Sequence, residues 1–238
     1  MDDFIDFCQH RRSIRKFRNM SVSQQDLIDI VTAGSFAPSV SDLQPWEFII
    51  VTDPQVRDDI AGTCEGHEWM YYAPAFIVVL ADHKRVEAYH GSNAALQARD
   101  SCSAAVMNML LAAMARDLGA CWVSQFDEQV LSEVLGVDDD SKEVVAIVVV
   151  GHPDEIDLVP KHVSSLDQCV YFNEFGNTVT DEATRLRDFG EAARDNMSSY
   201  SRSVQKKVKI QKERSKPIAE KFREKLRDWM DSSKNKKN

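Results

Sequence analysis

The run VVAIVVVG, residues 144–151, is the strongest strand signal in the chain and constrains its fold more than any other stretch. An unbroken series of apolar, mostly β-branched side chains has no polar face to turn to water, so it predicts a strand inside the protein. AFIVVLA at 75–81 predicts a second buried strand, and WEFIIV at 46–51 a strand buried on both faces. Helix signals lie between these runs. Ser21 to Ser23 precede QQDLIDIVTAG, where Leu27, Ile30 and Val31 fall at helical spacing and Gly34 and Pro38 close the segment. Asp53 and Pro54 read as cap and first helical residue of PQVRDDIAG. From about Asn93 to Leu118 a segment rich in Ala, Met and Leu predicts the core helix, with Ala105, Met109, Ala112, Ala113 and Arg116 along one stripe and Gly119 ending it. CWVSQF predicts a short strand and turn, and DEQVLSEVLG a helix capped by Asp127 and ended at Gly136. Strands separated by helices indicate a mixed α/β or α+β body.

A chain of 238 residues with 43% hydrophobic content can bury a sizeable core in one domain, with room for an appendage. No apolar run approaches the roughly 20 residues of a membrane span, and MDDFIDFCQHRR lacks the order of a signal peptide, so a cytoplasmic setting is expected. The five cysteines, Cys8, Cys64, Cys102, Cys121 and Cys169, form no CxxC pair and are expected to be buried thiols. His10, His67, His83, His90 and His152 show no metal-ligand spacing, and no metal is expected.

The net charge of −9 hides an asymmetry: residues 181–238 carry 17 Lys and Arg against 10 Asp and Glu, leaving 12 against 28 for residues 1–180. The chain therefore reads as an acidic body with a basic tail. Beyond Gly176 the large apolar residues, such as Ile218, Phe222, Leu226, Trp229 and Met230, recur every three or four positions, which predicts helices that need another surface. A body over 1–176 and a basic helical extension over 177–238, with a disordered end, follow as the domain expectation. The extension could bind nucleic acid or an anionic membrane, but wrapping along the acidic body or across a dimer is the favoured reading.

Against this acidic background RRSIRKF, residues 11–17, sets four cationic side chains around a serine. An arginine fork matches phosphate oxygens in geometry and charge, and a serine hydroxyl adds a donor, so the stretch suits a phosphorylated small molecule. A solvated basic helix start or a set of surface salt bridges would account for the same residues. With only nine glycines, none in GxGxxG or GxxxxGK[ST] order, a Rossmann or Walker loop is absent.

RRSIRKF, then APSVSDLQPWEFIIV, DSCSAAVMNMLLAA, LGACWVSQFD and VVAIVVVGHPDE together resemble the FMN-dependent nitroreductase family, in order and spacing, over residues 4–176. The resemblance implies an α+β three-layer fold with a central mixed or antiparallel sheet flanked by helices, assembled as a homodimer with FMN at the interface. It implies that Arg11, Arg12 and Ser13 hold the phosphate and ribityl chain, and that Arg15 reaches the pyrimidine edge of the flavin. A cation there stabilises the charge that develops on reduction. Pro38, Ser39, Val40, Ser41, Asp42 and Gln44 would cover the partner's flavin, with Asp42 standing where Asn is usual in the family. Val123, Ser124 and Gln125 would offer backbone donors near the ring, in place of the usual glycines. Lys161 would complete the phosphate site. Trp46 is expected in the core.

The implied function is transfer of electrons from NADH or NADPH through FMN to a small oxidised acceptor in a ping-pong order, with no catalytic side chain required beyond the flavin. A reductive dehalogenase or flavin-modifying relative is the alternative within enzymes, and residues 62–72, GTCEGHEWMYY, are the one candidate lid for it. A flavin-binding or regulatory protein without turnover is the alternative from another class.

Overall fold

The computed structural model describes residues 2–154, 163–171, 173, 175 and 176. Within 2–154 four strands form one antiparallel sheet in the order β1-β2-β4-β3, with β1 at Trp46–Val51, β2 at Ala75–Asp82, β3 at Gly119–Val123 and β4 at Lys142–Gly151. The residues of the VVAIVVVG run are all buried in β4, which is paired on both edges and covered on both faces.

Side-chain alternation divides the core into two layers. From β2, Ala75, Ile77, Val79 and Ala81 join one cluster, while Phe76, Val78 and Leu80 join the other. A bulge between Val79 and Leu80 shifts the register with β4, so the neighbouring residues Val145 and Ala146 both face the first cluster. That first layer is covered by α2 (Gln24–Ser35), α4 (Lys84–His90) and α5 (Ala94–Ala115). The second is covered by α3 (Pro54–Gly62), a 3₁₀ turn at Glu68–Tyr72 and α6 (Glu128–Leu135). Helices on both faces of an antiparallel sheet make this the expected α+β three-layer fold.

The helix starts follow the sequence signals. Ser23 accepts a hydrogen bond from the Asp26 amide at 3.0 Å, Asp53 from Gln55 and Val56 at 2.9 and 3.1 Å, and Asp127 from Val130 at 3.1 Å. α5 carries Ala105, Met109 and Ala113 fully buried, as its stripe predicts, and Trp46 is a core residue.

Three expectations need correction. β1 is an edge strand, and Ile50 is 38% exposed, so WEFIIV is not buried on both faces. α5 ends at Ala115, with Asp117 taking the left-handed turn at φ 58°, whereas Gly119 opens β3. Cys64, Cys102 and Cys121 are buried thiols, but Cys8 is half-buried and Cys169 exposed. Two helices lacked a sequence signal: α1 (Asp2–His10) and α4.

Residues 163–176 belong to a separate unit, in which Leu166–Gln168 form a 3₁₀ turn and the Tyr171 and Phe175 rings lie 4.7 Å apart. Lys161 and the 177–238 extension lie outside the described residues. No described helix is long and apolar enough to cross a membrane.

Candidate functional site

A sheet edge left open by β3 is covered by the chain's own opening segment. After α1 the backbone runs extended, so that Ser13 bridges Ala120 and the Ile14 amide donates to the Ala120 carbonyl at 3.0 Å. Further on, Phe17 bridges Pro153, Arg18 donates to His152 at 2.8 Å, and Asp154 donates to Lys16 at 3.1 Å. RRSIRKF is therefore neither a helix start nor loose surface, but an addition to the sheet margin. Its period is two. Ile14 is buried against Gly119, where a β-carbon would lie 2.7 Å from its Cγ2, and Phe17 packs on Gly151 at the same close range.

This extended course decides what the basic residues do. Arg11, Ser13 and Arg15 converge on Cys121 of β3: burial pushes that thiol up, while Arg15, Arg11 and a hydrogen bond from Ser13 pull it down. Among the described residues Arg11, Arg12 and Arg15 enter no ion pair, whereas Arg18 sits 3.9 Å from Asp154. Arg12 donates to the carbonyls of Gln9 and Arg11 at 2.9 and 3.0 Å, closing the end of α1. Two guanidinium groups and a hydroxyl, gathered without a carboxylate, form an anion-binding set.

The loop from Pro38 to Gln44 lies elsewhere, on α5. Val40 donates its amide to Ser101 Oγ at 3.1 Å, Ser41 Oγ meets His90 Nε2 at 3.0 Å, and the Gln44 amide donates to Ser39 Oγ at 3.0 Å. Ser41, Asp42 and Gln44 hold φ values of 48°, 56° and 48°, a strained run for non-glycine residues. Asp42 accepts from Gln44 Nε2 at 3.3 Å and, among the described residues, pairs with no cation. Among the described residues no hydrogen bond or ion pair joins this loop to the arginine segment. The third group, Val123, Ser124 and Gln125, continues β3 beyond Cys121, with Val123 buried and the next two side chains exposed.

One neighbour of the site escaped the sequence reading. The Arg15 guanidinium lies 5.9 Å over the indole of Trp69, which also meets Phe17 at 6.3 Å and His67 at 5.9 Å. The signal available was the aromatic density of GTCEGHEWMYY, the stretch that stood as the candidate lid. Instead the segment is built into the body: Thr63, Cys64 and Met70 are buried, and the Thr63 carbonyl accepts from the Asp127 amide at 2.9 Å.

Comparisons with known proteins agree with this geometry. The family model described as "Nitroreductase family" matches residues 8–67 and 63–152. A relative from Archaeoglobus fulgidus, named as an NADH dehydrogenase/NAD(P)H nitroreductase, is 32% identical over 163 residues, which make up 66% of this chain and 90% of the relative. An NADPH-flavin oxidoreductase of Vibrio harveyi is 29% identical over 164 residues, covering 65% and 68% of the two chains. Among solved structures, an FMN-dependent nitroreductase from Clostridium difficile R20291 superposes with a TM-score of 0.61 at 28% identity, over 72% of this chain and 99% of the other. The arginine segment, the sheet it borders and the helices on either face all fall within the matched span, and the chain belongs to the nitroreductase family.

Proposed function

We propose that this oxidoreductase binds FMN against the Arg11–Arg15 segment and uses NADH or NADPH to reduce a small oxidised acceptor, such as a nitroaromatic or quinone. The carrying observation is that Arg11, Ser13 and Arg15 lie along one segment docked on β3 at Ala120, with no ion pair to a carboxylate among the described residues. That donor set fits the cofactor: forked cations and a hydroxyl suit a phosphate, a ribityl chain and the electron-rich edge of a ring. When bound, FMN would supply the redox chemistry, taking hydride from the nicotinamide and giving electrons to the acceptor in a ping-pong order.

The residues of the chain bind, orient and polarise. Arg11 and Ser13 would hold the phosphate and ribityl oxygens. Arg15 would stand beside the pyrimidine edge, where positive charge favours the reduced, more anionic state. The Pro38–Gln44 loop lies on α5 with no hydrogen bond or ion pair to this set among the described residues, which supports its use in trans, across a homodimer. Val123, Ser124 and Gln125 would bound the ring from the end of β3. We assign this site to the span of the family match, residues 8–152, which lies inside one unit of the chain, and treat 177–238 as an appended basic segment.

The test is an absorption spectrum of the purified protein, followed by anaerobic titration with each nicotinamide. A yellow protein bleached by NADH or NADPH supports the reductase. Yellow protein that does not bleach supports a binding role without turnover. Protein that takes up no added FMN overturns the assignment. Arg11→Ala and Arg15→Ala should each weaken FMN binding by roughly ten- to a hundredfold, the worth of a charge-assisted contact.

A further inference from the structure

We propose that Trp69 is a positioning residue for Arg15, holding its guanidinium toward the flavin site by an aromatic face in place of a carboxylate; this rests on the FMN reading above. The contact is a cation over an indole at 5.9 Å, within the range in which the ring quadrupole attracts a guanidinium. The choice of partner matters chemically. A carboxylate would fix Arg15 equally well but would cancel the charge that an anionic ligand needs. An indole orients the same side chain and adds no net charge, so the full positive charge stays available.

Trp69 is itself held in place. The next residue, Met70, is fully buried and donates its amide to the His67 carbonyl at 2.9 Å. The Ala73 amide closes the turn onto the Met70 carbonyl at 3.0 Å, and the Arg57 guanidinium donates to the Ala73 carbonyl. On its flanks the indole meets Phe17 at 6.3 Å and His67 at 5.9 Å. Phe17 lies two residues beyond Arg15 in an extended segment, so one ring contacts two side chains of the same face. Arg15 itself is exposed and unpaired with any acid among the described residues, so nothing else described fixes where its charge points. Rigid support behind a charged group lowers the ordering cost of binding.

The experiment measures FMN affinity of the apoprotein by flavin fluorescence, and the midpoint potential of bound flavin, in wild type, Trp69→Leu, Trp69→Phe, Arg15→Ala and the Arg15→Ala/Trp69→Leu double variant. Trp69→Leu should weaken FMN binding by about three- to thirtyfold and lower the potential, because the cation is less well placed beside the reduced ring. Trp69→Phe, which keeps an aromatic face, should recover most of both losses. In the Arg15→Ala background the Trp69→Leu loss should largely vanish, since the indole acts through Arg15. Trp69→Met, also non-aromatic but bulkier, replaces the leucine variant if that does not fold.

Two results overturn the proposal alone: weaker binding in Arg15→Ala with wild-type affinity and potential in Trp69→Leu, or an undiminished Trp69→Leu loss in the double variant. The latter would mark Trp69 as packing only. Absence of FMN uptake by wild type, or full uptake by both Arg11→Ala and Arg15→Ala, overturns the FMN reading and this proposal with it.

Discussion

Ile14 Cγ2 lies 2.7 Å from the point that a β-carbon on Gly119 would occupy, and Ile14 Cβ lies only 2.8 Å from it. The branch point of a β-branched side chain cannot swing aside as the tip of a long one can. The contact therefore fixes how near the arginine segment comes to β3, and with it where Arg11, Ser13 and Arg15 meet. Gly119→Ala should push the segment off the sheet edge. We expect a loss of about 1 to 3 kcal/mol in urea denaturation, as for overpacking in a core, together with weaker FMN binding. Unchanged stability and affinity would show that the segment adapts.

The two arginines at 11 and 12 are adjacent in sequence but differ in role. Arg12 closes α1 through the carbonyls of Gln9 and Arg11, while Arg11 faces Cys121 with Arg15. Arg12→Ala is thus expected to weaken FMN binding by less than about threefold and to cost about 0.5 to 1 kcal/mol of stability, against the larger affinity losses of Arg11→Ala and Arg15→Ala. Parallel titrations of the three variants separate the roles.

Asp42 brings a carboxylate, with no cation paired to it among the described residues, into a loop that would lie near the partner's anionic cofactor. Its φ of 56° is a conformation that asparagine tolerates well. Asp42→Asn keeps the backbone and removes the charge, so FMN binding should tighten, by about two- to fivefold for one partly screened charge. At high salt the gain should shrink. A weaker Kd in the variant would mean that the carboxylate accepts a hydrogen bond from the ligand.

Cys102 sets an alkaline limit. Burial first, and then the negative charge of Glu143, push its thiol up to about 12 from the ordinary value near 9. Between those values the unfolded chain releases a proton that the folded chain retains, so stability is complete below the lower value and falls as pH rises through the interval. One such group changes stability by up to about 1.4 kcal/mol per pH unit, and Cys64 and Cys121, raised by burial, act in the same sense. Urea midpoints measured from about pH 8 to pH 11 should fall for wild type and fall less steeply for Cys102→Ala.

The amino-acid order by itself determined the elements whose physics is local. A continuous β-branched run such as Val144 to Val150 has only a buried strand to become, and Asp53, Ser23 and Asp127 cap helices because their oxygens reach amides two or three residues ahead. The excess of guanidinium groups around a serine in RRSIRKF was legible too, because it is a matter of residue type alone.

Tertiary structure decided the rest, because it depends on neighbours distant in the chain. That β1 lies at the sheet edge, with Ile50 in water, follows from strand order, to which the residues of WEFIIV are indifferent. That RRSIRKF is extended, with Ile14 buried against the sheet, follows from an edge strand more than a hundred residues away whose Gly119 admits Ile14. The indole under Arg15 arrives the same way, on a turn anchored by the burial of Met70 rather than by any pattern around Trp69. Periodicity specifies which face a residue takes; only packing specifies what that face meets.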